Sequence, residues 1–210
     1  MSKLLILGAG GHGKVVAETA MATGRWKSIA FLDDELPVGT RVLDFPVVGA
    51  FSDALALHET YGEALVAVGD SHIRLDLMAQ LSTAGFLLPV LVHSSAVVSP
   101  SAFLAEGTVV FAQAVVQADT QIGRGCIINT ASTVDHDCRL DDGVHVCPGS
   151  HLAGGVSVGQ SCWLGIGSVI IQNIQIGDES MVAAGAVVIS DVERHSTVAG
   201  LPAKLIQKGN

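Results

Sequence analysis

The sequence predicts two domains of different construction. A small Rossmann-like α/β domain is expected over residues 1–93 and a parallel β-helix, or β-solenoid, over 94–198, followed by a tail over 199–210. In the second half of the chain an aliphatic residue recurs at every sixth position, a period typical of a β-helix. In the first half, apolar strands alternate with helical stretches around a glycine-rich turn, which is typical of an α/β domain.

The first domain is predicted to place its strands in one parallel sheet. In chain order we predict strands over Lys3–Leu7, Ser28–Leu32, 64–68 and 87–92, and helices over 14–23 and 72–84. A dinucleotide fold uses two mononucleotide-binding halves, and 93 residues supply little more than one. We therefore expect a site for a nucleotide or nucleotide diphosphate here, rather than a complete NAD site.

The glycine-rich turn predicts where that nucleotide binds. Residues 8–13 fit the pattern G-x-G-x-x-G, follow a strand and open a helix, and Asp33 lies 20 residues further on. Backbone N–H groups at a helix N-terminus bind phosphate oxygens, and residues that follow parallel strands border the same crevice. The candidate substrate-binding residues are Gly10, Gly11, His12, Asp33, Asp34 and Gly69.

The β-helix prediction rests on sixteen consecutive repeats. The aliphatic positions are Val98, Leu104, Val110, Val116, Ile122, Ile128, Val134, Leu140, Val146, Leu152, Val158, Leu164, Ile170, Ile176, Val182 and Val188. A small or β-branched residue stands four positions after each of them, and Cys126, Cys138 and Cys162 fall in this second column. These cysteines are expected to be packing residues of a narrow interior. Corner glycines such as Gly149 and Gly155 suit a backbone with positive φ.

Composition excludes several classes of function. The net charge of −9 opposes the basic surface that nucleic-acid binding requires. Although the mean hydropathy is +0.51, no run approaches the ~18 apolar residues of a membrane-spanning helix. The first apolar run is also too short for a signal peptide. The four cysteines form no C-x-x-C pair. We expect a cytoplasmic protein without membrane insertion, disulfides or metal.

A corner histidine of the predicted β-helix is the candidate catalytic residue. His136 and Asp137 follow the inward-facing Val134, so their side chains are expected to point outward. Eighteen residues further on, Gly154 and Gly155 leave space beside the imidazole if three hexapeptides close one coil. A histidine accepts the proton that an amine or hydroxyl loses when it attacks a carbonyl carbon. Asp137 is expected to orient the ring, and the Gly154 N–H to stabilise the oxyanion.

Six segments spread over the whole chain carry a resemblance to a known family. They are LLILGAGGHGKVV at 4–16, FLDD at 31–34, AVGDSHIR at 67–74, HSSAVVSPSA at 93–102, NTASTVDHDC at 129–138 and GLPAK at 200–204. In these segments the chain resembles the hexapeptide-repeat nucleotide-sugar acetyltransferases, a bacterial family that includes UDP-4-amino-sugar and GDP-perosamine N-acetyltransferases and sialic acid O-acetyltransferases. The resemblance implies a trimer of left-handed β-helices, with acetyl-CoA between neighbouring prisms and the nucleotide sugar in the first domain.

The resemblance also assigns roles to individual residues. It makes His136 the general base and Asp137, where some members carry Glu, its orienting partner. It places the six substrate-binding candidates named above on the nucleotide sugar. The acetyl-CoA contacts that it implies are His145, Gly154, Ile166, Ala184, Pro202 and Lys204.

The expected function is transfer of acetyl from acetyl-CoA to the 4-amino group of a UDP- or GDP-linked 4-amino-4,6-dideoxy sugar, for surface glycan biosynthesis. The amine attacks directly, because Cys138 belongs to the inward column and is poorly placed as a covalent nucleophile. Sialic acid O-acetylation is an alternative, although the aspartates clustered around His136 suit an amino sugar better than a carboxylated one. A non-catalytic nucleotide-binding scaffold and an NAD-dependent sugar enzyme are further alternatives.

The predicted homotrimer requires an apolar outer surface. Phe111, Cys147 and Trp163 are the outward positions that we expect to form a threefold interface. The partners expected from the sequence are therefore acetyl-CoA, a nucleotide-linked amino sugar and two further copies of the chain.

Overall fold

The computed structural model describes residues 2–209 and divides the chain into two compact units, Met1–Ser94 and Ser95–Asn210. The first unit combines a sheet with three helices, and the second is built almost entirely of two-residue strands. Among residues 2–209, no helix is both long enough and apolar enough to cross a bilayer.

The first unit alternates strands and helices as predicted, with additional elements in its middle. Its elements are β1 (Lys3–Leu7), α1 (Gly11–Thr23), β2 (Ser28–Leu32), β3 (Arg41–Val42), β4 (Phe45–Gly49), a 3-10 turn (Phe51–Asp53), α2 (Ala54–Tyr61), β5 (Gly62–Val66), α3 (Ser71–Thr83) and β6 (Leu91–Val92). The sheet order is β3-β4-β2-β1-β5. All neighbours are parallel except β3 and β4, which form an antiparallel hairpin.

Three differences from the predicted elements have local causes. The β3–β4 hairpin and α2 were not predicted. Strand β3 has two residues, β4 contains Pro46, which argues against a strand, and α2 spans only eight residues. The strand predicted over 87–92 is reduced to a bridge between Leu87 and Glu63 and the pair Leu91–Val92. Pro89 lies inside that run and has no N–H to donate to a ladder. Helix α1 begins at Gly11, three residues earlier than predicted.

The core of the first unit lies between the sheet and helices α2 and α3. Leu5 and Leu7 of β1 pack with Val66 of β5 and with Met78 and Leu81 of α3, and all five are at most 5% exposed. This packing fixes the carboxyl ends of β1, β2 and β5 on one edge of the sheet, the edge that carries ligands in open α/β sheets.

The second unit is a three-sided coil. Its strands are β7 (Val97–Val98), β8 (Phe103–Leu104), β9 (Val109–Val110), β10 (Val115–Val116), β11 (Gln121–Ile122), β12 (Ile127–Ile128), β13 (Thr133–Val134), β14 (Arg139–Leu140), β15 (His145–Val146), β16 (His151–Leu152), β17 (Ser157–Val158), β18 (Trp163–Leu164), β19 (Val169–Ile170), β20 (Gln175–Ile176), β21 (Met181–Val182), β22 (Val187–Val188), β23 (Ser196–Ala199) and β24 (Lys204–Lys208). Every third strand pairs in parallel, so that Thr133 lies opposite His151, eighteen residues on. Three hexapeptides therefore close one coil.

The two predicted columns fill the interior of this coil. From Val110 to Val188 every aliphatic position is buried, and the small column is buried from Thr108 to Val192. Polar members of the small column donate to backbone carbonyls within the prism, as Thr108 does to Gly123 at 2.7 Å. Cys126, Cys138 and Cys162 are at most 1% exposed, which confirms that they are packing residues.

From Gly107 to Gly185, the corners adopt a left-handed backbone three residues after each aliphatic position. Glycine fills this position at Gly143, Gly149 and Gly155, with φ between 63° and 74°. At Asp137 an aspartate adopts the same conformation, with φ of 58°. Asparagine and aspartate tolerate this region better than most residues because their short polar side chains bond locally.

The segment that follows the last repeat continues the sheet. Strand β23 pairs in parallel with β21, and β24 pairs with β23 in the antiparallel direction. The residues 199–210, which the sequence predicted as a tail, thus include a strand that covers the end of one ladder.

The structure corrects the predicted outer surface. Phe111 and Cys147 are each 1% exposed, so they are buried within the chain and offer no apolar surface. Trp163 is 39% exposed and does lie on the outside, opposite Met181 at 47%. The hexapeptide period shows on which side of a strand a residue lies, but not what covers that side.

Candidate functional site

The corner that carries His136 is held by hydrogen bonds on several sides. Inside the prism, the Thr120 hydroxyl donates to the Asp135 carbonyl at 2.7 Å. The Asp137 N–H donates to the Ala118 carbonyl of the preceding coil at 3.0 Å. The His136 N–H donates to Oδ1 of Asp135 at 2.8 Å. The histidine side chain therefore projects from a fixed backbone.

Asp137 sets the orientation of the imidazole. Its Oδ2 lies 2.7 Å from Nδ1 of His136, so the shorter side chain of aspartate does reach the ring. Since a carboxylate only accepts, Nδ1 carries the proton and the lone pair of the neutral ring lies on Nε2. The side chains are 61% and 67% exposed, which leaves Nε2 accessible. The hydrogen bond that His136 donates to Asp137, together with the charges of Asp135 and Asp137, raises the pKa of His136 above its ordinary value.

Gly154 lies directly against the imidazole. A Cβ atom built on Gly154 would lie 2.5 Å from Cε1 and 2.6 Å from Nε2 of His136. The equivalent corner position on the next coil is Gln172, so the backbone alone does not require glycine there. The Gly155 N–H donates to the His136 carbonyl at 2.9 Å, whereas the Gly154 N–H makes no hydrogen bond to any described residue. The residue that packs against the ring thus has an unbonded N–H group.

The aspartates near His136 do not act as one cluster. Asp135 and Asp137 bond to His136, but Oδ1 of Asp142 accepts from the Arg124 N–H at 2.7 Å. The pKa of Asp141 is raised by burial, with smaller effects from the charges of Asp178 and Asp142. The negative charge at the corner therefore comes from Asp135 and Asp137.

Of the predicted acetyl-CoA contacts, Gly154 lies on the same edge of the prism as His136, whereas Ile166 and Ala184 lie on a different edge. The His136 corner joins β13 to β14, whereas Ile166 and Ala184 lie on the corners that join β18 to β19 and β21 to β22. Ile166 is 61% exposed, and Ala184, Pro202 and Lys204 are also exposed. The Ala203 N–H donates to the Val187 carbonyl at 2.7 Å, which holds the segment around Pro202 and Lys204 on the coil.

His145 is the exception among these contacts because it is only 8% exposed. Its Nε2 lies 3.0 Å from Nδ2 of Asn129, and its ring packs edge-on against Trp163 with centroids 4.3 Å apart. Oδ1 of Asn129 accepts from the Thr130 N–H at 2.8 Å, so the amide presents its NH₂ group to the histidine. Asn129 was not among the predicted site residues, and the hexapeptide pattern gives no signal for it.

The glycine-rich turn of the first unit has the open geometry that a bound phosphate needs. Cβ atoms built on Gly10, Gly11 and Gly69 meet nothing within 4 Å. Gly8 has a φ of 104° and its added Cβ would lie 2.7 Å from the Ala67 carbonyl oxygen, so glycine is required there. The turn after β1 and the loop after β5 therefore approach each other closely.

His12 and Asp33 border this turn, and the pKa of each is lowered for a different reason. Burial, with a smaller effect from the charge of Arg74, lowers the pKa of His12 to about 4, so the ring is neutral at pH 7. Asp33 accepts from the Ala9 N–H at 2.8 Å and from the N–H groups of Glu35 and Leu36. Burial raises the pKa of Asp33, but these backbone bonds outweigh it and leave a net lowering.

The Asp34 carboxylate also accepts a hydrogen bond from the backbone of a neighbouring loop. Its Oδ1 accepts from the Phe51 N–H at 2.8 Å. The carboxylates at the end of β2 therefore shape the two loops around the turn, a role that the sequence did not predict.

Arg74, which is 1% exposed, was not among the predicted site residues, because an arginine in the first turn of a helix is usually solvated. No group of His, Cys, Asp or Glu between residues 2 and 209 is arranged to hold a metal ion.

Comparison with known proteins gives matches in both units. Residues 3–81 match the PglD N-terminal domain, and residues 155–190 match the bacterial transferase hexapeptide, six repeats long. A UDP-N-acetylbacillosamine N-acetyltransferase of Bacillus subtilis (strain 168) is 37% identical over 114 residues. The match covers 53% of this chain and 52% of that protein, about half the length of the relative.

Solved structures match over nearly the whole chain. The acetyltransferase domain of PglB from Neisseria gonorrhoeae, in complex with acetyl coenzyme A, is 45% identical with a TM-score of 0.94. The match covers 97% of this chain and 98% of that one. PerB from Caulobacter crescentus, in complex with CoA and GDP-perosamine, is 41% identical with a TM-score of 0.93, over 99% and 98% of the two chains.

An α/β unit of the PglD type and a hexapeptide coil in one chain define an acyltransferase of the hexapeptide class. The identity and coverage of the solved structures make the assignment more specific. The chain belongs to the family of hexapeptide-repeat nucleotide-sugar acetyltransferases, and its coil is the left-handed β-helix of that family. Both the predicted fold class and the family resemblance are confirmed.

Proposed function

We propose that this protein transfers the acetyl group of acetyl-CoA to the 4-amino group of a nucleotide-linked 4-amino-4,6-dideoxy sugar. The observation that carries this proposal is the His136–Asp137 pair at 2.7 Å, with Nε2 on the exposed side chain and the backbone of Gly154 packed against the ring. The B. subtilis relative is named for acetylation of a UDP-linked amino sugar. PerB was solved with a GDP-linked sugar and CoA, so both nucleotides occur among the relatives.

In this reaction His136 acts as a general base. The amine attacks the thioester carbonyl carbon and forms the new C–N bond, while Nε2 of His136 takes the proton that the nitrogen loses. Asp137 stabilises the protonated ring through Nδ1. When the C–S bond breaks, the imidazolium returns the proton to the departing thiolate. Atoms and charge balance without a covalent enzyme intermediate.

The N–H of Gly154 is proposed to stabilise the oxyanion that forms on the carbonyl oxygen. One preorganised oxyanion-hole donor is worth about 2.7–4 kcal/mol in acyl-transfer enzymes. A covalent route through Cys138 is disfavoured, because this thiol is 1% exposed and burial raises its pKa.

The first unit is proposed to bind the nucleotide diphosphate. Gly10, Gly11 and Gly69 are open for close approach of phosphate oxygens to the backbone. His12 is neutral at pH 7, so it serves as a hydrogen-bonding group and not as a charge. The unbonded oxygen of Asp34 remains as an acceptor for the nucleoside.

The active assembly is proposed to be a homotrimer. Because His136 and the predicted acetyl-CoA contacts Ile166 and Ala184 lie on different edges of one prism, a groove between two copies is the arrangement that brings them together. The exposed apolar residues Trp163 and Met181 supply surface for such contacts. We further propose that the enzyme acts in the cytoplasm and serves surface glycan biosynthesis.

The test is release of CoA thiol from acetyl-CoA by the purified protein. UDP- and GDP-linked 4-amino-4,6-dideoxy sugars are offered in parallel with free sialic acid. Thiol release with one of the nucleotide-linked amino sugars supports the proposal and identifies the nucleotide. Release with sialic acid alone would reassign the protein to O-acetylation, and nucleotide binding without any CoA binding would favour the scaffold alternative.

A further inference from the structure

Arg74 is a buried cation at the edge of the proposed nucleotide site. It lies in the first turn of α3 and is 1% exposed, although arginine is almost never fully buried without a specific reason. Its Nη1 donates to the carbonyl of Val68 and to that of Gly69, each at 2.8 Å. A single guanidinium nitrogen thus binds two consecutive carbonyls of the loop between β5 and α3.

These two bonds determine where the neighbouring amides point. In a trans peptide the C=O and N–H vectors are antiparallel. With the Val68 and Gly69 carbonyls turned inward to Arg74, the N–H groups of Gly69 and Asp70 are directed away from the protein interior. Neither N–H bonds to any residue of the described range 2–209, and both residues are exposed. Two adjacent backbone donors therefore face the crevice beside the glycine-rich turn.

Arg74 also determines the sign of the local charge. His12 cannot supply a positive charge at neutral pH because burial, together with the charge of Arg74, lowers its pKa to about 4. Lys14 follows on α1, but its side chain is exposed to solvent, where a charge is screened. The buried guanidinium of Arg74 acts in a medium of lower dielectric constant, where charge interactions are stronger.

We propose that Arg74 is a positioning residue for the diphosphate of the nucleotide sugar. It aims the N–H groups of Gly69 and Asp70 at the phosphate oxygens and places a buried positive charge behind them. The inference rests on the proposed function, and it assigns to Arg74 the recognition of the phosphates rather than of the base or the sugar.

The test compares ligands that differ only in phosphate. Binding of uridine, UMP and UDP, and of guanosine, GMP and GDP, is measured by calorimetry on the full chain for wild type, Arg74→Met and Arg74→Lys. Arg74→Met is expected to weaken binding of the preferred diphosphate about tenfold or more, since hydrogen bonds involving charged groups are the stronger ones. Nucleoside binding should change by less than about threefold. Arg74→Lys, which keeps the charge, should bind the diphosphate more tightly than Arg74→Met.

The matched control is Arg25→Met, which removes one positive charge from the same unit. Arg25 donates to Glu63 at 2.7 Å, near the amino end of β5. Its replacement should not change the affinity for any of these ligands. Equal losses for nucleoside and diphosphate in the Arg74 variants would show a merely structural role and overturn the inference, as would unchanged binding. If Arg74→Met does not fold, the same comparison of nucleoside and diphosphate binding is made between Arg74→Lys and wild type. A wild-type protein that binds neither UDP nor GDP would instead contradict the proposed function.

Discussion

His136 and Gly154 depend on each other, because the imidazole occupies the space that a side chain at residue 154 would need. Nothing in the composition of a hexapeptide indicates such a pair. It becomes visible once the eighteen-residue coil is known, since His136 and Gly154 then fall on successive coils of one corner. The sequence therefore predicts the neighbours of His136 better than it predicts their contacts.

The first prediction concerns Gly154→Ala. The added methyl would lie 2.5 Å from Cε1 of His136 and displace the ring. A displacement of about 1 Å can cost a factor of about 100 in rate, so we expect kcat to fall to that extent. The control is the same substitution in a His136→Ala background, where the methyl meets no ring and the melting temperature should be unaffected. A Gly154→Ala enzyme with wild-type kcat would contradict the geometry described for this corner.

The second prediction concerns the pH dependence of Asp137→Asn. General-base catalysis requires neutral His136, and Asp137 raises the pKa of that histidine, so kcat/KM falls as the pH drops through the raised value. Removing the carboxylate lowers the pKa and moves this acidic limb to lower pH. The plateau rate should also drop, by about tenfold or more, because the ring loses the partner that fixes its tautomer. An acidic limb that stays in place, measured as kcat/KM against pH, would exclude His136 as the titrating base.

Among the secondary-structure elements, those of the second unit are mostly predictable from the six-residue period. It predicts which residues point inward, and the structure bears this out along both interior columns. It fails for residues such as Phe111 and Cys147, because their burial depends on what covers the outside of a strand. In the first unit, β1, β2 and the two longer helices are predictable, whereas β3 and α2 are too short to show a period and β4 contains a proline.

The third prediction concerns Cys138→Ala in the small interior column. Alanine already occupies this column at Ala114 and Ala186, both fully buried, so the substitution fits the prism. It removes the bond from Sγ to the Ala153 carbonyl at 3.3 Å, and we expect a loss of about 1 kcal/mol in the free energy of unfolding. Turnover should be unchanged in the thiol-release assay. Loss of activity by a folded variant would instead indicate a covalent role for this thiol.

For the whole molecule, the proposed site would be incomplete in one chain. The corner with His136 and the corner with Ile166 and Ala184 are separate edges of the prism. Single-chain sequence patterns cannot show how copies associate, because the period is set by packing within each coil. The family resemblance supplies the expectation of a trimer, and the position of the two corners gives a physical reason for it.

The fourth prediction is the oligomeric state. Light scattering at about micromolar concentration should give a mass about three times the 21.6 kDa of one chain. Replacing Trp163, which is 39% exposed, by Glu is expected to favour smaller species, because a buried interfacial charge is costly. The matched control is Ser157→Glu on a neighbouring face. A wild-type monomer with full acetyltransferase activity would contradict the shared groove.

The structure of the acetylated product shows whether the protein acetylates the amine of a nucleotide-linked sugar and whether His136 promotes that step. Wild type and His136→Ala are incubated with acetyl-CoA and the preferred nucleotide-linked 4-amino sugar, and the product is analysed by NMR. We predict an amide at the 4-amino nitrogen, formed about 100-fold or more slowly by the folded His136→Ala variant. Acetyl on a hydroxyl oxygen, or equal rates for the two proteins, would contradict the account.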